Sequence, residues 1–111
     1  MEINDPKPMA KEICFELDLS VVVLVKAEKL IDCSAEQGLL SGRSPSGVAA
    51  GAVYAASLLT NRKRTQSEIS NVSEVSDATI RKRYQELLEA YGIVGDWSPH
   101  LDKTRIGSVR W

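Results

Sequence analysis

Histidine occurs once in this chain, at position 100, and cysteine twice, at 14 and 33. So thin and scattered a set has no zinc-ligand spacing, and the two thiols read as reduced, half-buried side chains. No histidine stands near a nucleophile, and no isolated pair of acids sits on an apolar face, so nothing points to catalysis. Gly42 to Gly47, GRSPSG, has two glycines but no phosphate-binding lysine. Long apolar runs are also missing. The longest uncharged stretch, Ser44 to Asn61, falls short of the roughly 20 residues a membrane-spanning helix needs. The first seven residues, MEINDPK, are polar and prolyl, unlike a secretory signal. A formal net charge of −1 removes any global basic signature. The expectation is no enzyme, no metal, no cofactor, no small-molecule substrate and no membrane.

What is present is a helical protein of one domain: 43% apolar, 26% charged and 111 residues long. Its charge is uneven, with acids dominating residues 1–37 and bases exceeding acids from 38 onward. The chain is organised around SPSGVAAGAVYAASLLTN, residues 44–61. Ser44 can cap a helix and Pro45 fits its first position. Small residues dominate the rest of the stretch, with bulk only from Val48, Val53, Tyr54, Leu58 and Leu59. A helix with no polar face belongs inside a protein, and its small side chains let other helices approach closely.

Residues 1–7 read as a leader or linker and Pro8 opens a first helix through about Leu17, with Met9, Ile13 and Leu17 as its apolar stripe. Ser20 caps a second helix, Val21 to about Glu36, stopping at Gly38. Its core stripe is Val23, Ala27, Leu30, Ile31 and Ser34. The run VVVLV has more apolar surface than that stripe needs. Its β-branched residues make a strand the competing assignment, but nothing else in the chain could pair with it. Val21, Val22, Leu24 and Val25 are therefore a candidate protein interface.

After the central helix comes a basic loop, Arg62, Lys63 and Arg64. Thr65 and Glu68 match a capping box, which starts a short helix through about Val72. A turn at Ser73 to Val75 leads to Ser76, which caps a longer helix, Asp77 to about Tyr91. Ile80, Tyr84, Leu87, Leu88 and Tyr91 form its inner stripe; Arg81, Lys82, Gln85, Glu86 and Glu89 face out. Short helix, tight turn and longer amphipathic helix make a helix-turn-helix over residues 65–91. In such a unit the outward N-terminal residues of the second helix meet base edges. Arg81 is the best base reader, since its fork pairs bidentately with guanine. Ala78 offers a methyl contact and Gln85 a further polar one. Arg62, Lys63, Arg64, Thr79, Lys82 and Arg83 would contact phosphates. Residues 93–111 form a tail, with Trp97 expected to pack back on the core.

GRSPSGVAAGAVYAASLL, followed by RKRTQSEISNVSEVSDATIRKRYQELLEAYG, resembles the second cyclin-like repeat of archaeal transcription factor B, the counterpart of eukaryotic initiation factor IIB. The resemblance covers about residues 5–93. It implies an all-α, five-helix cyclin-like fold over residues 8–92, with the third helix central and the helix-turn-helix formed by helices four and five. It also implies partners: promoter DNA at the B-recognition element upstream of the TATA box, and TATA-binding protein. RNA polymerase would be engaged only through N-terminal parts, a zinc ribbon and linker, that these residues do not contain. The expected function is a promoter-binding module of a general transcription initiation factor, cytoplasmic in an archaeon and nuclear in a eukaryote. A cyclin-fold interaction adaptor without sequence-specific DNA binding is the alternative. Departures from the family pattern include Glu74 where a turn glycine is usual, Ser70 and Ser73 for alanines, Ala78 for valine, and the VVVLV run.

Overall fold

A computed structural model of the chain describes residues 5–92, and among them the regular structure is five helices: α1 Pro6–Glu16, α2 Val21–Glu36, α3 Pro45–Leu59, α4 Gln66–Ser73 and α5 Asp77–Tyr91. The fold is all-α with α3 at the centre, as expected of a cyclin-like repeat. From Gly47 to Leu58 every residue of α3 is buried, and α3 packs against each of the other four helices. None of the described helices is long and apolar enough to cross a membrane.

Local chemistry sets most of the boundaries. The Ser44 hydroxyl accepts from the Gly47 amide at 3.2 Å, closing the first turn of α3. The capping box at α4 is complete: Thr65 Oγ1 accepts from the Glu68 amide at 3.0 Å, and the Glu68 carboxylate accepts from the Thr65 amide at 2.9 Å. Gly92 ends α5 in the left-handed region, φ 105°.

Several expectations need correction. The first helix opens at Pro6 rather than Pro8, because the Asp5 carboxylate accepts from the Lys7 amide at 3.0 Å and acts as the cap. Its core residues are Ala10, Ile13 and Cys14, while Met9 and Leu17 are only half-buried. Ser20 has the extended backbone of a cap but makes no capping bond; its hydroxyl instead accepts from Arg62 Nε at 3.2 Å. Tyr91 is half-buried rather than in the core, its hydroxyl bonded to Lys26 Nζ at 3.0 Å. The stripe of α2 is as expected, with Val23, Ala27, Leu30, Ile31 and Ser34 all buried. Both cysteines are free thiols, and burial, with Glu28 nearby, pushes Cys14 up to about 11. The expected seat of Trp97 and the tail from residue 93 lie outside the described residues.

Candidate nucleic-acid interface

The site is built on the way α5 lies against α3. A Cβ added at Gly51 would fall 2.6 Å from Arg83 Cβ and 3.0 Å from the Tyr84 amide nitrogen; one at Gly47 would meet Thr79 Cγ2 at 3.2 Å. The two glycines, one helical turn apart, are therefore where the first half of α5 is seated. Tyr54 and Tyr84 pack edge to face beside them, centroids 4.8 Å apart at 81°. Burial, and then the neighbouring Tyr54, push the Tyr84 hydroxyl above its ordinary pKa.

The turn that aims α5 is held by Glu74 and Ser73. Glu74 takes φ 61°, ψ 24°, the left-handed conformation that glycine would adopt. Its amide donates to the Ser70 carbonyl at 2.8 Å. Ser73 Oγ donates to the Ile69 carbonyl at 2.6 Å and accepts from the Val75 amide at 3.2 Å, bracing both sides of the turn. Val75 fixes the turn to the core, and Ser76 Oγ accepts from the Thr79 amide at 3.2 Å to start α5. Asp77 in the first turn complements the positive end of the helix dipole.

Ala78, Arg81, Lys82 and Gln85 are all exposed. Their spacing, i, i+3, i+4 and i+7, places them on one strip of α5, opposite buried Ile80, Tyr84, Leu87 and Leu88. Among the described residues no carboxylate pairs with Arg81 or Lys82. The strip thus presents a guanidinium, an ammonium, an amide and a methyl on a rigid, capped helix. That set can hydrogen-bond base edges and neutralise phosphate.

The remaining expected phosphate contacts are placed differently. Arg83 is not on the strip. It lies over Gly51 and donates to Glu86 Oε1 at 2.6 Å, with its side chain 18% exposed. Thr79 turns its methyl toward Gly47 and accepts from the Ser76 hydroxyl at 3.0 Å. The basic loop is at the other end of α3. Thr79 is beside Gly47, and α3 rises about 1.5 Å per residue, so the loop following Leu59 lies roughly 20 Å from the start of α5. There Arg62, Lys63 and Arg64 border a groove with Asp18, Leu19 and Ser20. Arg62 and Lys63 are exposed, whereas Arg64 is half-buried and donates to the Leu17 carbonyl at 3.3 Å. Glu86, expected to face out, is half-buried between Arg83 and Arg43, which donates to it at 3.2 and 3.3 Å. Burial alone would raise its pKa, but the two guanidinium hydrogen bonds prevail and hold the carboxyl below its ordinary value. This pairing ties the loop before α3 to the middle of α5, and the sequence carried no sign of it.

At the first half of α2, Val21, Val22 and Val25 are exposed, but Leu24 is turned partly inward against the core. Phe15, which no pattern singled out, is 85% exposed.

A central helix, a braced turn and a polar strip on the following helix are the parts of a helix-turn-helix carried on a cyclin-like repeat. The family model described as "Transcription factor TFIIB repeat" matches residues 1–90, and the chain belongs to that family. It is 58% identical over 89 residues to Transcription initiation factor IIB 3 of Halobacterium salinarum, covering 80% of this chain and 28% of that protein. It is 56% identical over 93 residues to Transcription initiation factor IIB of Haloarcula vallismortis, covering 84% of this chain and 82% of the relative. A more distant relative, Transcription initiation factor IIB of Methanopyrus kandleri, is 42% identical over 90 residues, covering 81% of this chain and 29% of its own length. The chain therefore spans under a third of two of these relatives and most of the third.

Proposed function

We propose that this chain is a promoter-binding repeat of a general transcription initiation factor, laying α5 in the major groove upstream of a TATA box beside TATA-binding protein. The observation that carries the reading is the strip Ala78, Arg81, Lys82 and Gln85, exposed on a helix whose entry turn is braced. Arg81 reads a guanine edge, with Gln85 and the Ala78 methyl flanking it. Lys82 neutralises phosphate beside them, and Arg62 and Lys63 take a second stretch of backbone about 20 Å away. Thr79 and Arg83 seat α5 on α3. Recruitment of RNA polymerase belongs to parts of the factor outside these residues. In an archaeal cell such a factor works in the cytoplasm.

Fluorescence anisotropy on a labelled TATA promoter, with cognate TATA-binding protein present, tests this. Tighter binding to an intact upstream element than to a scrambled one is expected. Arg81→Ala should cost about 1–3 kcal/mol, the range for one bidentate base contact, and abolish the preference. Equal affinity for both elements, unchanged in Arg81→Ala, would overturn the reading. The exposed Val21, Val22 and Val25 favour a second one, a protein-interaction adaptor on the same scaffold. Val21→Glu with Val22→Glu would impair only that activity.

A further inference from the structure

The outer face of the α1–α2 pair exposes four large apolar side chains: Phe15 is 85% exposed, Val21 68%, Val22 48% and Val25 45%. The two helices are antiparallel, joined by residues 17–20 and clasped at the far end by Lys7 and Asp32, 2.6 Å apart. Lys7 is thus level with Asp32, and two turns inward Cys14 is level with Val25. On α1, Met9, Glu12 and Glu16 turn to a groove shared with Val72 and Ser73, and Ala10 and Ile13 turn to the core. Helical periodicity leaves Phe15 on the outer side, toward α2. On α2, Lys26, Cys33 and Gln37 bond to the end of α5 along the opposite flank, and Val23, Ala27 and Leu30 are buried. Val21 and Val25 therefore lie beside Phe15, with Val22 at their edge. The four side chains leave on the order of 400 Å² of apolar surface in water, the size of the largest patch on a typical monomer.

The exposed charges around this patch are sorted by sign. Asp18 stands at the turn end. Lys11 and Lys29 stand at the other end, seven residues before Asp18 and eight after Val21. Each separation is about 10–12 Å along the helix axes, and Phe15 and Val25 fall near the midpoint. Among the described residues no ion pair engages Asp18, Lys11 or Lys29. A face with an acid at one end, bases at the other and an apolar middle is complementary to itself after half a turn. Two such patches and their charged ends would bury about 1,200 Å² in total, the lower end for specific interfaces.

We propose that a second copy of the chain docks on this face as a two-fold dimer. The α1–α2 pairs lie antiparallel, Phe15 and Val25 meet at the axis, and Asp18 of each copy faces Lys11 and Lys29 of the other. An interface of that size dissociates in the micromolar range. It covers the valines on which the adaptor reading rests, and it is independent of DNA binding by α5.

Sedimentation velocity of the full chain under reducing conditions, over roughly a hundredfold range of concentration around the micromolar level, is the test. The mass should rise from 12.2 kDa toward twice that value and stop there, because a two-fold contact closes at two copies. Phe15→Ser with Val25→Ser should stay monomeric across the range, with helical circular dichroism unchanged. So should Asp18→Lys, and so should Lys11→Glu with Lys29→Glu, since each sets like charges opposite one another. Mixed in equal amounts, these two charge variants should dimerise again, each supplying the sign the other lacks. A monomer at every concentration would leave the face to a different partner and overturn the proposal. A dimer that survives Phe15→Ser with Val25→Ser, folded charge variants that stay monomeric when mixed, or assembly that grows past two copies would overturn it equally.

Discussion

Glu74 shows how one residue can keep a conformation that its chemistry disfavours. A side chain in the left-handed region costs about 1–2 kcal/mol, and the Ser70, Ser73 and Val75 hydrogen bonds around the turn hold it there. Glu74→Gly relieves that strain but returns about 0.4–1 kcal/mol of chain entropy to the unfolded state. The expected outcome in urea unfolding is a gain of up to about 1.5 kcal/mol, whereas Glu74→Val, β-branched, should lose about 1–2 kcal/mol. Glu86 makes a prediction in pH. Its folded pKa is depressed, so its contribution is complete above the ordinary glutamate value of about 4.3 and fades as pH falls through the lower folded value. Glu86→Gln should therefore be less stable than wild type near neutrality, by under about 1 kcal/mol for so exposed a pair. Chemical denaturation at a series of pH values should show the difference closing in acid.

The element that decides the site is the contact of α5 with α3. Gly51→Ala gains about 1 kcal/mol of helix propensity, but the new methyl would fall 2.6 Å from Arg83 Cβ and 3.0 Å from the Tyr84 backbone. Overpacking of that kind costs about 1–3 kcal/mol. We expect a net loss of up to about 2 kcal/mol in thermal unfolding and, on the proposed function, weaker DNA binding, since α5 must back away. The seat was partly legible from residues alone. A charge-free run of small residues behind Ser44-Pro45 announced a buried helix, and the caps at Thr65 and Ser76 announced the next two helices, because these signals are local in sequence. The strip Ala78, Arg81, Lys82 and Gln85 was legible for the same reason: helical periodicity fixes which side chains share a face. The place of Arg83 over Gly51 was not legible, because charge does not reveal its distance from a glycine 32 positions earlier. Glu86 was read as a surface acid because its partner Arg43 is distant in the chain, on the loop before α3. Phe15 went unnoticed because an isolated aromatic near a helix end has no pattern around it.

At the scale of the whole molecule, the exposed cations proposed to meet DNA form two groups about 20 Å apart, joined by α3. Exposed Arg62 and Lys63 form one, Arg81 and Lys82 the other. Each phosphate neutralised should contribute about −0.9 to the slope of log affinity against log salt. Lys82→Gln and Lys63→Gln should each flatten the measured slope by about that amount on duplex DNA, and Arg83→Gln, which removes an internal ion pair, should leave it nearly unchanged. A final consequence concerns α3, wrapped by all four other helices and buried along nearly its whole length. Its amides meet water only when the wrapping comes apart, so they should exchange for deuterium only through global unfolding. The helix-turn-helix draws its inner wall from that same buried helix. Cut away as a free peptide, α4 and α5 would expose Ile69, Ile80, Tyr84 and Leu87 and lose the surface that orients them. The helix-turn-helix is thus not a detachable part: α5 is held in position only while the entire repeat is folded.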